Sequence, residues 1–415
     1  MKIIAASYLY NPGSTPAANG AVAVRDGRIV AVGPLDDVRR DFPWPVEDHP
    51  GCVLMPGMVN AHTHLELTHF PSWKIRKGVD YMPRQYVDWI VQVVKICRAL
   101  TQDELRHSLD EGARISLAAG TTTVGDILSN LTLLADYMRL PVSGRVYLEA
   151  IGHDPVQCEA RKSDMEAAIR TITAASLLPG VSPHAPHTLS EQFMRDITGM
   201  ADSFGLPTMI HLAESADEID FWFDTTGRIA TEIYPMAGWE PYLPPPRRMS
   251  PVAYLDSLAV LTPMTTCVHA VHVTPADVGI LRDRGVAIVI CPRSNDRLVV
   301  GAPPLMLFRG SRIPLAIGTD SLASNDSLSM WDEIRFLFER YPRMFTPDEL
   351  LGMATIGGAR ALHLDSGTGT LEVGKRADIQ VLSPSGALTS GKLADLLLDS
   401  AVVATVYLAG ERIDS

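Results

Sequence analysis

A chain of 415 residues, 46% of them apolar, is long enough for about two to three domains and a large core, which excludes disorder as its main state. Its 36 lysines and arginines against 48 aspartates and glutamates leave a net charge of −12 with no long run of one sign, which speaks against a nucleic-acid or anionic-membrane surface. The five cysteines, Cys52, Cys97, Cys158, Cys267 and Cys291, form no C-x-x-C pair and point to a reducing, cytoplasmic compartment, and no apolar stretch approaches the ~20 residues of a membrane helix.

The apolar start could be taken for a short signal peptide, but it reads better as a strand over 3–10. That strand connects through Asn11-Pro12-Gly13 to a second at 21–24 and, across the turn Asp26-Gly27, to a third at 28–32. From about residue 50 to 320, short β-branched runs alternate with helical patterns, the signature of βα units on a parallel sheet. The runs are 53–62, 121–127, 145–151, 180–185, 207–214, 265–271, 286–291 and 313–320. Helices at 85–97 and 104–119 lie between, the second opened by a capping box from Thr101 to Glu104. Eight such strands in this span match the ~250 residues of a (β/α)8 TIM barrel, an α/β fold, here assigned to 51–364. Both flanks, 1–50 and 365–415, read as strand and turn rather than helix, with strands at 367–372, 378–382 and 402–408, and are expected to form one small β-sandwich domain. The proline-rich segment 234–251 between the fifth and sixth runs reads equally as a rigid surface loop or a lid over the barrel mouth.

Active sites of such barrels form where the strands end, and there the chain places His62-Thr63-His64, Pro183-His184-Ala185, His211-Leu212-Ala213-Glu214, His269-Ala270-Val271-His272 and Gly318-Thr319-Asp320. Residues i and i+2 of a strand point the same way, so His62 and His64 can reach one ion. With His211 and Asp320 they make a donor set for one divalent metal, zinc or ferrous iron. Any one buried histidine is more often a packing residue, and His69, His107, His153 and His363 are read that way. Four donors at the ends of strands one, five and eight favour the metal. Gly374-Lys375 lacks the spacing of a phosphate loop, and no G-x-S-x-G elbow is present.

These residues resemble the amidohydrolase superfamily, in its branch of deaminases and chlorohydrolases that act on purine, pyrimidine and triazine rings. The resemblance covers essentially the whole chain: Pro56-Gly57-Met58-Val59-Asn60-Ala61-His62-Thr63-His64, Ser182-Pro183-His184-Ala185-Pro186, His211-Leu212-Ala213-Glu214, Gly318-Thr319-Asp320-Ser321-Leu322-Ala323-Ser324-Asn325 and Leu371-Glu372-Val373-Gly374-Lys375-Arg376-Ala377-Asp378 are similar to its hallmark segments. It implies that His62, His64, His211 and Asp320 bind the metal, that Glu214 shuttles protons, that His269 holds the attacking water or polarises substrate, that His184 touches substrate, and that the chain is a homo-oligomer, a dimer or tetramer. Two departures stand out. Strands three and four carry no lysine, so the bridging ligand of two-metal relatives is missing and one metal is expected. Cys291-Pro292-Arg293-Ser294-Asn295 replaces a His-Asn-Pro segment usual in adenosine-type deaminases and looks closer to guanine-deaminase-like relatives. His62-Thr63-His64-Leu65-Glu66 followed by Val87-Asp88-Trp89-Ile90 also resembles bacterial aminodeoxyfutalosine deaminases.

The expected reaction is hydrolytic deamination of an adenine-type nucleoside: S-adenosylhomocysteine, methylthioadenosine or aminodeoxyfutalosine. The alternatives are a guanine or other free-base deaminase, a triazine chlorohydrolase, a cyclic-amide hydrolase and, from another class, a non-catalytic scaffold, which would show broken ligand positions. Glu66 and His184 are the expected contacts to ribose or ring, and Trp89 either stacks on the base or packs within its helix. Arg293, Arg247 or Arg248 is the expected clamp for a substrate carboxylate.

Overall fold

The computed structural model describes residues 1–79, 83, 85–172 and 176–413, so the last two residues of the C-terminal flank fall outside it. The N-terminal end supplies β1 (Lys2–Leu9), β2 (Ala17–Arg25), β3 (Arg28–Pro34) and β4 (Val46–Pro56). The alternating middle supplies β5 (Met58–Thr63), β6 (Thr121–Leu128), β7 (Ser143–Ala150), β8 (Leu177–Pro183), β9 (Thr208–Leu212), β10 (Thr265–His269), β11 (Ala287–Ile290) and β12 (Leu315–Ile317). The C-terminal end adds β13 (Ile379–Ser383), β14 (Val402–Leu408) and β15 (Glu411–Ile413).

Strands β5 to β12 pair in sequence order, each parallel to the next, in one eight-stranded sheet. An isolated parallel bridge between Thr63 and Asp320 brings its first and last strands together. The Asp320 N–H donates to the His62 carbonyl at 3.1 Å, and the Thr63 hydroxyl donates to the Asp320 carbonyl at 3.0 Å. Closure at this point requires glycine at 318, because a Cβ there would come within 2.7 Å of the His62 carbonyl oxygen. Alternate strand residues, Val59, Ile127, Tyr147, Met209, Val268 and Val289 among them, form a buried cluster with Ala359 and Leu362 of the C-terminal helical turn, so this end of the barrel is packed solid.

The two chain ends form one seven-stranded sheet of order β15-β14-β13-β4-β1-β2-β3, with apolar clusters on both faces. Asp378 ties it to the barrel: its carboxylate accepts from Arg376 Nε and Ala409 N at 2.8 Å and from the Ser143 hydroxyl of β7 at 3.2 Å. Three expectations are corrected. The run 53–62 is divided at Gly57, its first part ending β4 in the terminal sheet and the rest forming β5; a side chain at Gly57 would collide with Thr122 at 2.1 Å. Residues 367–372 form turns rather than a strand, because the Asn11 side chain takes the place of a strand partner, accepting from Leu371 N at 2.7 Å and donating to its carbonyl at 3.1 Å. The flanks also hold helices, Leu35–Asp41 and Leu393–Ser400; the second buries Leu393, Leu397 and Leu398 at helical spacing. The helix expected at 104–119 is present as Gln102–Ala118 with both arms of its capping box.

Candidate active site

Each chemistry-bearing side chain sits at or just past a barrel strand end: His62 in β5, His64 one residue beyond it, His184 one beyond β8, His211 in β9, His269 closing β10, and Glu214 and Asp320 two and three residues past β9 and β12. Ala213, His269, Ala270 and Asp320 have φ of +49°, +70°, +47° and +58°, a left-handed backbone that costs free energy in non-glycine residues and collects at functional sites.

The donor atoms of His62, His64 and His211 lie within 4.8 Å of one another. Asp320 Oδ1 is 3.8 Å from His62 Nε2 and 3.7 Å from His64 Nε2. Bonds of ~2.1 Å place tetrahedral ligands about 3.4 Å apart, so the cluster needs little contraction to grip one ion. His62 Nε2 is buried with no hydrogen-bond partner, a lone pair free for a metal ion. His211 Nδ1 donates to the His184 carbonyl at 2.9 Å, which leaves its Nε2 lone pair for a metal. Asp320 Oδ2 accepts from the hydroxyls of Ser294 (2.6 Å) and Ser324 (2.7 Å), and Oδ1 accepts from Ser321 N (2.8 Å). Burial, followed by its imidazole neighbours, holds His62 and His211 well below the usual histidine range, keeping them neutral as ligands must be. Burial pushes Asp320 up, but His64, His269 and His62 more than offset it, leaving Asp320 below the ordinary carboxylate value. Three imidazoles and a carboxylate thus fit a divalent metal.

Beside this cluster Glu214, His269 and Asp320 bring their polar atoms within 4.8 Å of one another. Glu214 Oε1 is buried and unpartnered, and its Oε2 lies 3.7 Å from His269 Nε2. His269 Nδ1 donates to Asn295 Oδ1 at 3.0 Å, turning Nε2 toward Glu214. The backbone carrying Glu214 is held by Glu218, whose carboxylate accepts from the N–H groups of Ala213 (3.0 Å), Glu214 (2.8 Å) and Ser215 (3.3 Å). Burial, and then the Asp320 charge, raises the pKa of Glu214 well above the ordinary value.

A cavity of about 500 Å3 opens onto these groups, a size typical of small-molecule sites. His184, Glu66 and Trp89 all line it. Glu66 Oε2 and Glu149 Oε1 are buried without partners, a carboxyl pair on the cavity wall. His184 Nδ1 bonds with Thr188 Oγ1 at 3.0 Å. The Trp89 indole N–H donates to the Ala323 carbonyl at 2.9 Å, leaving only its ring for a ligand. Arg293 is not brought to the cavity; it pairs with Asp326, lies 3.6 Å from Glu333, and so is spent on holding two loops together. Arg247 and Arg248 pair with Glu191 and Asp224. Of the proline-rich segment, Met236, Ala237 and Trp239 line the cavity, so its first part covers the barrel mouth while its arginines pair at the surface. Nothing in the sequence assigns a role to Ser294, Asn295 and Ser324, though they fall within family-like segments, or to Glu149 and Glu218, which carry no local signal.

An eight-stranded barrel whose strand ends gather five imidazoles and two carboxylates over a cavity has the build of a metal-dependent barrel hydrolase. The amidohydrolase family profile matches residues 53–413, and a bacterial imidazolonepropionase-like composite domain matches residues 20–43. The chain belongs to the amidohydrolase family. It is 31% identical over 375 residues to an aminodeoxyfutalosine deaminase of Deinococcus radiodurans, covering 87% of this chain and 85% of that protein. It is 30% identical over 382 residues to a 5-methylthioadenosine/S-adenosylhomocysteine deaminase of Nitratidesulfovibrio vulgaris, covering 88% and 79%. Among solved structures, a zinc-bound adenosine deaminase from Xanthomonas campestris superposes with a TM-score of 0.81 at 26% identity over 99% of this chain and 92% of that one.

Proposed function

We propose that this protein is a zinc-dependent hydrolytic deaminase of an adenine-type nucleoside, acting on a carbon–nitrogen bond of the ring and releasing ammonia. The observation that carries this is Glu214: a buried carboxyl oxygen without a partner, grouped with His269 and Asp320 beside a metal-fitting cluster at a small-molecule cavity. The relatives named above support the nucleoside. One ion per chain is expected, held by His62, His64, His211 and Asp320. Such an ion supplies Lewis acidity that lowers the pKa of an adjacent water from 15.7 to about 7.

The chain's own groups then manage protons. Asp320 and His269 hold the attacking water against the ring carbon. Glu214 takes its proton and passes it to the ring nitrogen, so that the carbon–oxygen bond forms without charge accumulating on the ring. As the tetrahedral carbon collapses, Glu214 delivers the second proton to the departing amino group, the carbon–nitrogen bond breaks, and ammonia leaves. Glu66, Glu149 and His184 offer acceptors and a ring nitrogen to the sugar hydroxyls. The five cysteines, none of them in a disulfide, support a reducing cytoplasm as the place of action.

Ammonia release measured across adenosine, S-adenosylhomocysteine, methylthioadenosine, aminodeoxyfutalosine, guanine and cytosine tests the reading. An adenine nucleoside is expected to turn over fastest; faster turnover of guanine than of any adenosine derivative defeats it.

A further inference from the structure

Two buried histidines take no part in the proton path. His153 is 5% exposed and His187 2%. Burial pushes their pKa values down, to about 4 and about 3, so both rings are neutral at pH 7. They meet at Tyr234, which opens the proline-rich segment whose Met236, Ala237 and Trp239 line the cavity. The Tyr234 hydroxyl donates to the His187 carbonyl at 3.1 Å. His153 Nε2 lies 3.3 Å from that carbonyl and 3.2 Å from the hydroxyl, and its ring centre is 4.8 Å from that of Trp239. Trp239 N in turn donates to the Tyr234 carbonyl at 2.8 Å. The cover of the cavity is thus fastened to the backbone of the turn Pro186–Thr188.

The ring of the same residue faces the support of the proton carrier. His187 Nδ1 is buried without a hydrogen-bond partner, 3.9 Å from Glu218 Oε2. That oxygen accepts from Ala213 N, and Oε1 of the same carboxylate accepts from Glu214 N and Ser215 N. An N–H···O bond closes at ~3.2 Å, so a movement of about 0.7 Å would join the imidazole to the carboxylate. A buried donor left without an acceptor is costly, and making this contact removes the cost. The carbonyl held by Tyr234 and the ring facing Glu218 belong to one residue, so seating of the cover moves both. Resting on the nucleoside reading above, we propose that His187 is a positioning residue: when substrate draws the cover down, His187 Nδ1–H donates to Glu218, and the Ala213–Ser215 backbone, with Glu214 on it, is locked in place.

The test reads amide hydrogen exchange on peptides covering Ala213–Ser215 in the zinc-loaded protein, with and without saturating methylthioinosine, a deaminated product that fills the cavity without reacting. In wild type the product is expected to slow this exchange by about tenfold, the worth of one buried hydrogen bond. Tyr234→Phe removes only the hydroxyl and His187→Leu the ring nitrogens, and in both the slowing should vanish. His187→Asn, which keeps a donor near the Nδ1 position, should restore part of it. For an adenine nucleoside, kcat should fall about tenfold in Tyr234→Phe and in His187→Leu with zinc content unchanged, and the double variant should fall no further than either alone. If His187→Leu does not fold, Tyr234→Phe paired with Glu218→Ala gives the same comparison. Exchange that the product leaves unchanged in wild type or slows equally in the variants, or losses in kcat that multiply, overturns the proposal while nucleoside deamination stands. If no adenine nucleoside is deaminated at all, the functional reading falls and this proposal with it.

Discussion

At the scale of single residues, the site separates groups that would hold an ion from one that would move protons. His211 presents Nε2 because its Nδ1 is committed to the His184 carbonyl. Removing the ring in His211→Ala should abolish metal binding and activity together, as elemental analysis and an ammonia assay will show. Glu214→Gln keeps the shape of the side chain, so the ion should stay while kcat falls by about a hundredfold or more, the usual worth of a positioned acid–base. Near-normal turnover in that variant would remove Glu214 from the reaction. At this scale the placement of the strand-end histidines, Glu214 and Asp320 was legible, because each lies at the end of a strand-like run, whereas the proton-carrying role of Glu214 came from the family resemblance. Arg293 was misread for the complementary reason: its partners Asp326 and Glu333 are distant in sequence, and nothing near it shows that its charge is already used.

At the scale of elements, buried carboxylates brace the loops that carry the site. Glu218 caps three consecutive N–H groups around Glu214. Glu218→Ala leaves those donors buried without an acceptor, and kcat should fall by about tenfold or more while metal content is unchanged. Loss of the ion along with the rate would show that Glu218 supports the whole mouth rather than Glu214. Glu333, on the helix Met330–Arg340, accepts from Asn325 Nδ2 at 2.7 Å and from Arg293 N at 3.2 Å, joining the two loops behind Asp320. Burial pushes Glu333 up to about 8, against the help of Asn325 and Arg293. An unfolded glutamate titrates near ~4.3, so between these values the folded chain keeps a proton that the unfolded chain has lost. Its stabilising contribution is whole below pH ~4.3 and disappears as pH rises through about 8. Glu333→Gln has no proton to lose, so its Tm relative to wild type should rise steadily from pH 5 to pH 8; a flat difference would show that Glu333 titrates normally.

At the scale of the molecule, the proposed metal cluster joins the first, fifth and eighth strands, so an ion held there would close the barrel as well as serve chemistry. A ligand bound only by the folded state stabilises it by mass action. Dialysis against a chelator should therefore lower Tm by several degrees, and one equivalent of zinc per chain should restore it. Two tightly held ions per chain would contradict the single site. No helix among the described residues is long and apolar enough to cross a membrane.

The barrel and the cluster at its mouth were decided locally. Eight β-branched runs separated by helices admit one economical closed parallel sheet, and the i, i+2 geometry of His62 and His64 follows from the strand alone. The run 53–62 still had to be divided between two sheets, because the collision that demands Gly57 involves Thr122, sixty-five positions along. Tertiary structure alone chose the partner of each charge: it spent Arg293 on Asp326, set Glu66 beside Glu149, and laid Met236 and Trp239 over the cavity. Backbone periodicity is written within a few residues of sequence, whereas the neighbour of a long polar side chain is set by which remote segments the packed core brings together.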